Sequence, residues 1–219
     1  MIMKEILDFL KLLCVNNNRE WFHANKALYD ARKLQFEAIV EKSISDISQF
    51  DSAVKGLTAK DCIYRIHRDI RFSADKTPYK NHIAAYIAPG GKKSYAGGYY
   101  LHIEPENSMI AGGIYMPPPD VLFTLRTHVH NNCDEFLRIV TNESFVQTFG
   151  SVQGETLQSM PRGFSKDSPC AAYIKHKSLL LSVAVSDEQI ESPDFYDYFL
   201  DVCKHMKEFN SFCNSAICI

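Results

Sequence analysis

Arg65, His67, Asp69 and Arg71 alternate in the stretch RIHRDIR, so an extended chain carries all four on one face. In GGYYLHIEP the same alternation sets Tyr100, His102 and Glu104 opposite Tyr99, Leu101 and Ile103, and in the segment from His82 it sets Tyr86 with His82. Guanidinium groups grip phosphate or carboxylate in a bidentate fork, and an ammonium adds a point charge. Arg65 and Arg71, with Lys76 and Lys80 from the adjoining SADKTPYK segment, therefore make a candidate anion site. Histidine changes charge near neutral pH, which suits His67 and His102 to general acid/base work. Asp69 and Glu104 would orient an imidazole or act as the base. The best functional reading is binding, with turnover in view, of an anionic small molecule bearing phosphate or carboxylate. The competing reading is a lattice of cross-strand ion pairs with no site at all.

Two further chemistries use the same residues. His67, Asp69, His102 and Glu104 have the donor types of a metal site. The neighbouring arginines repel a cation, however, so no metal is assigned and the cofactor is left unknown. Residues 60–80 hold six Lys/Arg against three Asp, with Tyr64, Phe72 and Tyr79 interleaved as in a stacking platform. A net charge of -2 lacks the long-range field of a strong nucleic-acid binder. Nucleic acid thus ranks behind a small anion as partner, and a protein-interaction use of the basic patch stays open. No GxSxG elbow, Walker loop or GxGxxG occurs.

These groups need elements to hold them. The 219 residues are 46% hydrophobic and 23% charged, globular averages that suit one sizeable core. Apolar spacing predicts a helix over the first 15 residues and a second over 19–49, started by Asn18 and burying Phe22, Tyr29, Phe36, Val40, Ile44 and Ile47. From Cys62 the period becomes two. Strands are expected over 62–72, 82–88, 97–104, 109–116 and 178–185, the first with Cys62, Tyr64, Ile66, Ile70 and Phe72 inward. Helices follow the PPP at 117–119, and a last one covers 194–213. The expectation is α+β: a single domain over 1–219, helical in 1–50, sheet-forming in 61–116, with helices and one further strand in 118–219. Its mostly antiparallel sheet of about five strands would pack with N-terminal and C-terminal helices.

Seven cysteines, odd in number and without a CxxC pair, read as reduced thiols of a cytoplasmic protein. The first helix is amphipathic rather than a signal peptide, and no window approaches the ~20 apolar residues of a membrane span. Oligomeric state leaves no signal in the sequence.

NNNREWFHANKALYD, IYRIHRDIRFSADKTPYKNH, GGYYLHIEP and AGGIYMPPPDVLFTLR together resemble a mainly bacterial family of conserved hypothetical proteins, domain of unknown function 2461. The most specific element is the string RDxRFSxDKTPYK at 68–80, and the resemblance runs from about residue 5 to beyond 200. It implies no reaction, cofactor or partner.

Overall fold

The computed structural model describes residues 2–217. Helix α1 (Ile2–Val15) buries Ile6, Leu7, Phe9, Leu10 and Leu13 along one stripe. The side chain of Asn18 accepts from the Trp21 amide at 2.9 Å and starts α2 (Arg19–Ala24). The long second helix expected from the sequence is divided there. Asn25 leaves helical geometry at φ -105°, ψ 18°, and its amide donates to the Trp21 carbonyl at 2.9 Å. A side chain that bonds the backbone locally competes with the helical ladder. Helix α3 (Lys26–Ile47) then resumes and buries Phe36, Val40, Ile44 and Ile47 as its apolar spacing requires.

A Thr58–Asp61 capping box begins the short α4 (Ala59–Cys62). The strand expected over 62–72 does not form. Residues 63–80 make only two isolated bridges, Ile63 with Ala85 and His67 with Tyr79. Beyond His67 the side chain of Asp69 accepts from the Arg71 amide at 3.3 Å, and that of Asp75 from the Thr77 amide at 2.9 Å. Such Asx bonds fold the chain on itself and take amides a ladder would need. The motif 68–77 is accordingly a protruding loop. Cys62 and Ile66 are buried as their parity predicts, whereas Phe72 is 96% exposed.

The sheet has four strands rather than about five. β1 (Ile83–Ile87), β2 (Gly98–Ile103), β3 (Ser108–Ile114) and β4 (Leu179–Val185) lie in that order, all antiparallel. Between β3 and β4 run α5 (Pro119–Asn131), α6 (Cys133–Val140), α7 (Glu143–Phe149) and α8 (Ala171–Ile174); α9 (Asp187–Glu191) and α10 (Phe195–Ala216) close the chain. One face of the sheet, with Tyr99, Leu101, Ile110 and Leu181, joins a single hydrophobic cluster that reaches from α1 to α10. Helix α10 lies close enough that a Cβ on Gly112 would stand 2.6 Å from Met206 Sδ. The fully buried Asn210 of α10 accepts from the Gly113 amide at 2.9 Å and donates to the Gly98 carbonyl at 3.0 Å, bolting helix to sheet.

The expectation that all cysteines are reduced is corrected at one pair. Cys133, at the start of α6, and Cys170, before α8, form a disulfide with Cα atoms 5.9 Å apart. Cys14, Cys62, Cys203 and Cys213 are free, and Cys218 lies outside the described residues.

Candidate functional site

The second face of the sheet carries the chemistry. Register aligns Tyr86 with Tyr100, Ala111 and Ser182, and Ala84 with His102, Met109 and Ala184. His82 precedes β1 on the parity of Ala84, so it stands beside His102, with ring centroids 4.2 Å apart. The polar faces foreseen for 82–88 and 97–104 therefore coincide. Above them opens a cavity of about 670 Å³ whose lining includes Tyr64, Lys80, His82, Tyr86, Tyr100 and His102. That is the volume of a small-molecule site.

His102 is 7% exposed and satisfied at both nitrogens. Nδ1 faces the Tyr100 hydroxyl at 2.8 Å and Nε2 faces Glu104 Oε2 at 2.9 Å. Asn107 also donates to Glu104 Oε2, at 3.0 Å. Burial works against ionisation of Glu104, but the bonds from His102 and Asn107 outweigh it and hold its pKa below the usual carboxylate value. An ionised Glu104 favours a proton on Nε2, and in the neutral tautomer that results Nδ1 is the acceptor for the Tyr100 hydroxyl. Burial, with the charge of Glu104 among the lesser causes, pushes the Tyr100 phenol up. Burial first, then the charge of His102, lowers His82 from 6.5 to about 4. Near neutral pH the cavity thus holds a neutral His82 and an aligned Tyr100–His102–Glu104 chain.

Lys80 is the most buried of three lysines that line the cavity. Its ammonium lies 5.5 Å from the centroid of the Tyr64 ring, and among the described residues it makes no ion pair. Burial, with the repulsion of Arg65 second, lowers its pKa. Lys92 and Lys93 of the β1–β2 turn line the same space, though Lys92 is tied to the Lys60 carbonyl.

Of the residues singled out by sequence, His102, Glu104 and Lys80 meet here. His67 is exposed and pairs its backbone with Tyr79, away from His102. Asp69 and Arg71 pair with each other at 2.7 Å in the exposed loop. Lys76 donates to the Ile70 carbonyl at 3.0 Å, and Arg65 is exposed. None of these five lines the cavity. Reading four alternating residues as one strand face put them there; the Asx turns at Asp69 and Asp75 remove them. Sequence reasoning placed His82, Tyr86 and Tyr100 on polar strand faces without giving them a role, and gave Tyr64 a functional place only in a stacking platform. The signal for His82 was its shared parity with Tyr86, which pairs with Tyr100.

Fold and site define an α+β protein whose antiparallel sheet is sealed by helices on one face and bears a tyrosine- and histidine-lined cavity on the other. A family model described as "Conserved hypothetical protein (DUF2461)" matches residues 5–212, and the chain belongs to that family. No curated protein and no solved structure matches it. Among the described residues, no helix is long and apolar enough to cross a membrane.

Proposed function

We propose that this protein binds, and turns over, an anionic small molecule in the cavity on the open face of its sheet. The observation that carries this reading is the convergence of Lys80, His82 and His102 with Tyr64, Tyr86 and Tyr100 on one open cavity. An unpaired, partly desolvated ammonium attracts a phosphate or carboxylate more strongly than a solvated one, because little water competes for it. The tyrosine walls suit the apolar or planar remainder of such a ligand. The Tyr100–His102–Glu104 chain is the proton-transfer device: Tyr100 offers its hydroxyl to the ligand, and His102, oriented by Glu104, takes up or returns the proton. The anion grip moves from the Arg65/Arg71 pair expected from sequence to Lys80, with Lys93 at the mouth. For the compartment we propose the cytoplasm: four cysteines among the described residues are free, which supports it, while the Cys133–Cys170 disulfide is the observation against it.

A second reading rests on Phe72. This side chain is 96% exposed at the tip of the loop, with the Arg71 guanidinium 5.9 Å from its ring centroid. An aromatic flanked by cations on a protruding loop suits an interaction with nucleic acid or another protein.

Equilibrium binding of a panel of phosphate- and carboxylate-bearing compounds separates the two. Lys80→Ala weakens binding about tenfold or more, the loss of one charge-assisted contact, while Arg71→Ala leaves it unchanged. Binding that survives Lys80→Ala and fails in Arg71→Ala or Phe72→Ala transfers the function to the loop.

A further inference from the structure

His82, His102 and Glu104 each offer one ligand atom, and these three atoms lie within 4.8 Å of one another. We infer that they form a binding site for a divalent first-row transition-metal ion at the edge of the cavity, which His82 and His102 line. The inference rests on the proposed function only for the location of the site, and it changes the role of His102 and Glu104 from proton relay to ligands.

Donor chemistry and geometry both fit. Two imidazoles and one carboxylate are the set that holds catalytic zinc and non-haem iron with coordination positions left open. Nε2 of His102 and Oε2 of Glu104 are 2.9 Å apart. An ion about 2.1 Å from each would see them at roughly 90°, an ordinary ligand angle. His82 lies before β1 rather than within it and is half-buried. A tetrahedral pair of such ligands stands about 3.4 Å apart, so a shift of at most about 1.5 Å in the His82 side chain completes the triangle.

The outer contacts that metal sites use are already built. A ligating histidine donates its other N–H to a neighbouring oxygen, which fixes ring and tautomer. Once Nε2 takes a metal, the remaining proton of His102 sits on Nδ1, and the Tyr100 hydroxyl stands 2.8 Å away to accept it. Glu104 is steadied by Asn107 at 3.0 Å. The arginines that argued against a cation in the sequence do not line this space. Lys80 does, and its charge reaches His82. An anion seated between Lys80 and the ion would neutralise both, which joins the metal to the ligand class proposed above.

The test uses the tag-free protein with Cys14→Ser, since the exposed Cys14 thiol binds soft ions by itself. Co2+ is titrated in the absence of any phosphate or carboxylate and followed by its visible absorption, with bound metal counted after gel filtration. The expected result is one ion per chain, at least tenfold weaker binding in both His82→Ala and Glu104→Gln, and about tenfold weaker binding in Tyr100→Phe through loss of the outer contact. Thermal melts establish that the variants fold. Should one fail to fold, paramagnetically shifted ring protons from two histidines in the unmutated site give the same answer. No stoichiometric Co2+ binding, or binding retained in either ligand variant, overturns the metal site. If phosphate binding still depends on Lys80 in that case, anion binding stands and the metal alone is refuted.

Discussion

His102 of β2 and Glu104, which follows the strand's end on the same parity, are joined by a 2.9 Å contact between Nε2 and Oε2. Strand geometry makes such pairs common; here the imidazole is buried beside a cavity and its far nitrogen faces the Tyr100 hydroxyl. The arrangement turns a surface ion pair into an oriented imidazole whose remaining neighbours are His82 and the cavity.

The His82 ring next to it sets a pH dependence. Burial and the proximity of His102 lower its pKa to about 4, against 6.5 for an unperturbed imidazole. Between these values the unfolded chain binds a proton that the folded chain refuses, so stability falls as pH drops from about 6.5 to about 4. His176, also lowered by burial, acts with the same sign. An NMR titration of the ring protons is expected to place His82 near pH 4. A midpoint near 6.5 would contradict its burial against His102.

Asn210 carries an expectation for stability. Its amide satisfies the Gly113 N–H and the Gly98 carbonyl inside the core, and Asn214, one turn on, does the same for Gly97 at 2.6 and 3.0 Å. Asn210→Ala leaves two buried backbone groups unpaired, at about 1–3 kcal/mol each. Denaturant unfolding should show a loss of about 3 kcal/mol; a loss under about 0.5 kcal/mol would mean that water reaches both groups.

Much of this framework was legible in the sequence, and the failures have a common cause. Alternation in 97–104 and 178–185 placed Tyr99, Leu101, Leu179 and Leu181 in the core and Tyr100, His102 and Glu104 opposite, because a strand with one buried face must keep its parity. The same rule misled at 62–72. Asp69 and Asp75 are short acidic side chains that capture nearby amides, and period-two counting is blind to that competition. The pairing of His82 with His102 depends on the β1–β2 register, set by the length of the PGGKKSYAGG turn. The disulfide depends on how α6 and α8 pack, which no spacing of cysteines reveals.

That disulfide is open to a direct count. Alkylation of the denatured, unreduced protein should modify Cys14, Cys62, Cys203 and Cys213 and spare Cys133 and Cys170, which are joined. Cross-linking residues 37 apart restricts the unfolded chain, so reduction should cost about 4 kcal/mol. Modification of Cys133 and Cys170 without reductant would show the pair to be open.

Phe72 separates the two functional readings from the side of stability. With 96% of its surface in water, Phe72→Ala removes almost no buried area, and the melting temperature should move by less than about 1 °C. A larger drop would mean that the loop packs against the body of the protein.

The central claim is that the cavity over Tyr100 and His102 receives an anion. Mapping backbone and side-chain NMR shifts during titration with inorganic phosphate tests it most directly. The account predicts saturable changes clustered on Lys80, His82, Tyr100 and His102 that disappear in Lys80→Ala. Changes confined to residues 68–77, or none that saturate, would contradict it.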